Sequence, residues 1–132
     1  MTAVEFHIPN LELKSENWWR RAHQGWVLAK QRNREKLVVG AHARAAIGRG
    51  QIDPPYLVTF TRYSKSARGL DSDGLQGAFK YARDTISALL GVDDGEQSKI
   101  QFVYRQERGP FAVRVRVESG GEIQAARTDS RR

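Results

Sequence analysis

Apolar and polar side chains alternate through Val4-Glu-Phe-His-Ile8 and the run stops at Pro9, which predicts a first strand suited to the edge of a sheet. From about Leu28 to Ile47 the period changes. Leu37, Val38, Ala41 and Ala45 recur at helical spacing among Lys, Arg, Ala and Glu, which predicts an amphipathic helix that is basic outside and weakened by Gly40. Gly48-Arg-Gly50 and Asp53-Pro-Pro55 supply a stop and a loop, and Tyr56 to Tyr63 reads as a strand by its β-branched and aromatic content. Beyond the polar loop Ser64–Gly69, the pattern from Ser72 to Leu90 is helical again. At 100° per residue from Asp73, the residues Leu75, Phe79, Ala82, Ile86 and Leu89 fall between about 160° and 240°, one stripe facing a core. Lys80 and Asp84 fall within about 20° of Asp73, on the opposite edge.

Gly91 ends that helix, and Asp93-Asp94-Gly95 makes a tight turn. A strand follows from Lys99 to Gln106. Gly109-Pro110 then turns the chain into Phe111–Val117, whose strict alternation predicts the last strand, and the two are expected to pair as a hairpin. The order β-α-β-α-β-β indicates an α+β fold: a single-domain mixed or antiparallel sheet with two main helices, spanning residues 1–118. Residues 119–132 lack any apolar period and are expected to form a polar, mobile tail.

A chain of 132 residues with 39% hydrophobic content builds one core and leaves little room for a second. No stretch approaches the roughly 18 apolar residues of a bilayer span, and Met1-Thr-Ala-Val-Glu has no signal-peptide pattern, so a cytoplasmic protein without a membrane partner is expected. The absence of cysteine excludes disulfides and thiolate metal sites. Any metal must therefore use oxygen or imidazole ligands, which favours magnesium or manganese.

A net charge of +7 points to a polyanionic partner, because phosphates neutralised by Lys and Arg release counterions. Its distribution sharpens this. Nine cations (Lys14, Arg20, Arg21, Lys30, Arg32, Arg34, Lys36, Arg44 and Arg49) face only Glu16 and Glu35 between residues 14 and 49, whereas the acids gather between Asp71 and Glu96. One half is suited to hold phosphate and the other to hold metal. Asp71 and Asp73 at a loop-to-helix junction, with Asp93 and Asp94 after the same helix, offer carboxylates for a hard divalent cation that keeps several waters. Lys80 would supply fixed positive charge to a phosphate. A plainer reading stands beside this one: Asp71 or Asp73 as a helix cap, Asp93-Asp94-Gly95 as a turn, Lys80 and Asp84 as a surface pair.

Arg68-Gly-Leu-Asp-Ser-Asp-Gly-Leu-Gln76, the helix, Gly91-Val-Asp-Asp94 and the hairpin expected after it together resemble the RusA-like Holliday junction resolvases. The resemblance extends to Ile8-Pro9 followed by Ser15-Glu-Asn17-Trp-Trp-Arg-Arg21, and covers roughly Phe6 to Val117. It implies a homodimer that nicks branched DNA at symmetric positions with magnesium. Asp71, Asp73, Lys80 and Asp94 would be the catalytic positions, and Asp71, Asp73, Asp93 and Asp94 the metal ligands. Two departures are visible. Gly74 stands where the family usually has Asn, and Gly77 stands where the family has its lysine, one turn after the second aspartate. Lys80 lies two turns after Asp73 but keeps the family's four-residue spacing to a helix aspartate, here Asp84. The three extra residues rotate the helix by about 300° and shift the lysine by roughly 4.5 Å along the axis, so it stays on the acidic edge.

Aromatic rings interleaved with arginine can stack on bases. Asn17, Trp19, Arg20, Arg21, His23, Arg32, Arg34 and Arg68 are accordingly the DNA-binding candidates, with at least one of Trp18, Trp19 and Trp26 expected in the core. The expected function is a magnesium-dependent (manganese possible), structure-selective endodeoxyribonuclease of phage or prophage type acting on four-way junctions in recombination or repair. The alternative is a non-catalytic nucleic-acid-binding protein of the same fold.

Overall fold

The structure, a computed structural model, describes residues 3–14, 16–21, 23–49, 52–65 and 69–119. Of the polar tail expected over residues 119–132, Ser119 instead ends the last strand, paired with Tyr56, and residues 120–132 lie outside the described residues. In chain order the elements are β1 (Ala3–Pro9), α1 (Glu16–Arg20), α2 (Gly25–Arg49), β2 (Tyr56–Ser64), α3 (Ser72–Ala78), α4 (Lys80–Leu90), β3 (Ile100–Arg108) and β4 (Ala112–Ser119). The fold is mixed α+β, with helices on one face of a four-stranded sheet ordered β1-β4-β2-β3.

The last two strands are not a hairpin, contrary to the pattern-based expectation. β4 pairs antiparallel with β2 and with β1, while β3 pairs parallel with β2 on its other side. The Gly109-Pro110 turn therefore carries the chain across the end of β2, where Gly109 N–H donates to Ser64 O at 2.9 Å. The reason is visible in β2, which is buried along most of its length and so takes the centre of the sheet. The less buried β1 and β3 take the edges, β1 as its pattern predicts.

Register aligns the core. Phe6, Val115, Phe60 and Tyr104 form one row across the four strands, and Val4, Val117, Val58 and Phe102 the next. Phe60 is fully buried and stacks on Phe79 from the helical layer, with ring centroids 4.7 Å apart and planes 19° from parallel. The helix expected from Ser72 to Leu90 is interrupted at that residue: Phe79 has φ −94° and ψ 8°, ending α3 and preceding α4. The stripe survives the break, with Leu75, Phe79, Ala82 and Ile86 all buried. Gly91, at φ 74°, closes α4 as anticipated.

α2 is rotated relative to expectation. Leu37 is 72% exposed, and Ala41 and Ala45 are exposed too, whereas Glu35, Val39, Ala43 and Ala46 face inward against β1 and α4. The buried row contains a carboxylate, and this hid it from an apolar count. Glu35 accepts a hydrogen bond from Gln31 Nε2 at 2.8 Å through Oε2, while Oε1 has no partner among the described residues. Burial pushes the Glu35 carboxyl up to about 7, against the lowering pull of Gln31 and of the Lys14 backbone and charge.

The folded chain therefore holds this proton at pH values where the unfolded chain has released it, and stability falls as pH rises from about 4.5 to about 7. Glu35→Gln should remove that loss, leaving the variant roughly 2–3 kcal/mol more stable than the wild type at pH 8 and little different near pH 4. Urea unfolding across this range measures it. A wild type that gains stability over the variant with rising pH would contradict the assignment.

Candidate nucleic-acid interface and acidic cluster

Loop docking sets the position of the first aspartates. Gln106 on β3 clasps the backbone of Leu70, accepting from its N–H at 2.9 Å and donating to its carbonyl at 2.6 Å. Gly69 makes this possible: its φ of 70° suits glycine, and a Cβ there would meet Gln106 Oε1 at 3.0 Å. Asp71 then becomes the N-cap of α3, its Oδ1 accepting from Gly74 N–H at 2.7 Å. A side chain at position 74 would place its Cβ 2.8 Å from that same oxygen, so glycine leaves the cap room to close. The departure at Gly74 thus has a local physical role.

The other acids are distributed as follows. Asp93 Oδ1 accepts from Gly95 N–H at 3.0 Å, the contact of a simple turn. Asp94 Oδ2 lies 3.3 Å from Arg83 Nε, an ion-pair contact without hydrogen-bond geometry. Asp73 is exposed and has no hydrogen bond or ion pair among the described residues. Asp71 and Asp73 sit at the start of α3, whereas Asp93 and Asp94 follow the end of α4. Among the described residues no three carboxylate or imidazole side chains gather into a group that could hold a metal ion. The four aspartates as arranged here do not fit a shared metal cage.

The structure does bring Asp73 and Lys80 together. Both line a solvent-open cavity of about 370 Å³ whose other walls include Arg20 of α1 and Arg83 of α4. Because Asp73 and Lys80 flank the break at Phe79, the shared edge expected from helix periodicity is preserved across it. Three cations and one carboxylate give the cavity a positive balance suited to a phosphate. Lys80 Nζ sits 5.6 Å over the Tyr81 ring, and Lys36 Nζ 5.3 Å from the same ring.

Arg83 was missed by the sequence reading. It donates through Nη1 to Tyr104 Oη at 2.9 Å, faces the Phe102 ring at 5.9 Å and reaches Asp94, so it ties β3, the turn after α4 and the cavity together. Burial opposes its charge, but Tyr104, Asp94 and Asp84 outweigh this and hold its pKa above the ordinary value. The signal was available: at 280° from Asp73 on the helix wheel, Arg83 lies on the shoulder of the acidic edge.

Among the DNA-binding candidates, Arg20 lines the cavity, while Arg21, Arg32 and Arg34 are exposed. Trp19 is half-buried, its Nε1 donating to Lys14 O at 3.2 Å and its ring edge-on to Trp18 and Tyr81. His23 stacks on Trp18 at 4.2 Å and contacts Trp18 O through Nε2 at 2.9 Å. These rings form a local cluster that fixes α1, and Trp26, 66% exposed, is the open indole. Arg68 and the Asn17 side chain lie outside the described residues. No protein-family model and no curated protein matches the chain, so the functional reading rests on its residues and their geometry.

Removing the cap should show in stability. Asp71→Ala is expected to cost about 1 kcal/mol in chemical denaturation, whereas Asp71→Asn, also a good N-cap residue, should cost a few tenths at most. Equal stability of Asp71→Ala and the wild type would mean that the cap does not form in solution.

Proposed function

We propose that this protein is a structure-selective endodeoxyribonuclease of the RusA-like type, acting as a homodimer on four-way or other branched DNA, with phage or prophage recombination and repair as its setting. The observation that carries this reading is the meeting of Asp73 and Lys80 in one open, positively balanced cavity, with Asp94 linked to its wall through Arg83. The mixed α+β architecture and the +7 charge support it. A two-fold dimer would present two such cavities to the two equivalent strands of a junction.

Within the chain, Arg20, Lys80 and Arg83 would hold the phosphodiester by charge-assisted hydrogen bonds, and Lys80 would offset charge developing on it. Magnesium, with manganese as substitute, belongs to this reading through the family resemblance. Such an ion accepts as few as one or two carboxylates, and Asp73, without a partner among the described residues, is the carboxylate that lines the cavity. A second reading, a junction-binding protein without cleavage, is favoured by the engagement of Asp71, Asp93 and Asp94 in a cap, a turn and an ion pair.

Labelled four-way junctions incubated with magnesium, calcium or EDTA decide between them. Nicking is expected with magnesium or manganese and not with calcium or EDTA. Asp73→Asn and Lys80→Ala should each lower it by about a hundredfold or more, with Asp73→Asn still binding the junction. Tight binding without nicking under all conditions would establish the second reading, and absence of both would overturn the first and the second alike.

A further inference from the structure

A second cavity, of about 350 Å³, opens at the end of the sheet where β1, β2 and β4 meet the N-terminal half of α2. Its walls carry three cations from three separate segments: Lys14 after β1, Arg34 on α2 and Lys65 just beyond β2. The single carboxylate in the wall, Glu12, forms an ion pair with Lys14 Nζ at 3.4 Å. Arg34 and Lys65 have no acidic partner among the described residues. The remaining feature is aromatic. Phe111 in the turn before β4 is half-buried with its ring in the wall, and Lys65 Nζ stands 5.7 Å over that ring.

Two hydrogen bonds frame this cavity. Gln31, in its wall, is held by the buried Glu35 carboxylate at 2.8 Å, and Asn10 N–H donates to Phe111 O at 2.9 Å, tying the loop after β1 to the turn before β4. The chain from Lys14 to Arg20 leads from this cavity to the one containing Asp73 and Lys80, since its two ends contribute to the two walls. An aromatic face beside unpaired cations is the combination that receives a nucleotide: the ring stacks the base, and the cations take the phosphate.

We propose that this cavity is a second nucleic-acid contact, holding one unpaired nucleotide near a DNA branch with its base on Phe111 and its phosphate between Arg34 and Lys65. Lys65, poised over the ring, moves off it to the phosphate as the base arrives. The inference rests on the branched-DNA reading and adds to it a site that shares no lining residue with the cavity of Asp73 and Lys80.

Its test is fluorescence anisotropy with a labelled four-way junction at several salt concentrations, using the full chain and checking each variant's thermal melting. The double variant Arg34→Ala, Lys65→Ala should bind about tenfold more weakly near 0.1 M salt, and its plot of log affinity against log salt should be shallower by about 2. Phe111→Leu, which keeps an apolar side chain, should bind roughly five- to a hundredfold more weakly with the salt slope unchanged. Lys80→Ala is the comparison at the other cavity. If the double variant and Phe111→Leu both bind within twofold of the wild type while Lys80→Ala binds more weakly, this inference is overturned and the function proposed above stands. If only the double variant weakens, the base-stacking part is overturned and the phosphate contact is retained. Failure of the wild type to bind the junction would overturn both the inference and the reading on which it rests.

Discussion

The stack of Phe60 on Phe79 is the contact around which the rest of the molecule is arranged. Phe60 lies at the middle of β2, the strand that separates β4 from β3, and its ring also meets Phe102 and Tyr104 at 5.8 Å. Phe79 comes from the one residue between α3 and α4. Burying two aromatic rings at that junction fixes the helical layer against the sheet centre, since each removes a large apolar area from water and neither can shift without opening a void. Because the stack takes the inward side of the helical break, the residues flanking it on the outward side, Asp73 and Lys80, are held at the surface in one cavity.

Charge is organised around this frame by unequal burial. Arg83 reaches inward to Tyr104 and outward to Asp94, so its guanidinium is both anchored in the layer between helix and sheet and available at the cavity wall. Glu35 is the inverse case, a carboxylate enclosed on the inner face of α2 whose pKa burial raises well above the usual carboxylate range. Its hydrogen bond fixes Gln31, which lines the second basic cavity, so an unfavourable buried group sets the position of a surface feature. The two cavities are both positively balanced and are joined by the segment that carries the Trp18 and Trp19 cluster.

Periodicity located the elements well where one face was purely apolar. The alternation of β1 and β4 and the stripe Leu75, Phe79, Ala82 and Ile86 follow directly from side-chain spacing, which needs no partner to be read. It misread α2, because the buried row runs through Glu35, and a polar residue in the core is legible only once its neighbours are known. It also joined α3 and α4, since a single residue in a bridge conformation leaves the helical phase almost unchanged. The candidate site was legible in part for the same reason: Asp73 and Lys80 share an edge by local spacing, while the tie from Arg83 to Asp94 crosses elements.

Taken alone, the amino-acid sequence determined the four strands and the positions of the main helical segments, the edge position of β1, the excess of positive charge in the first half and the helix edge bearing Asp73 and Lys80, because each depends on residues near one another along the chain. Only the tertiary structure decided that β2 lies between β3 and β4, that Leu37 faces solvent, that Asp71 closes onto the backbone of Gly74, and that Lys65 and Phe111 meet Arg34 across a cavity. Strand order, cap closure and the convergence of distant cations are outcomes of competition among alternative pairings. Burial in the assembled core settles that competition, and local pattern does not encode it.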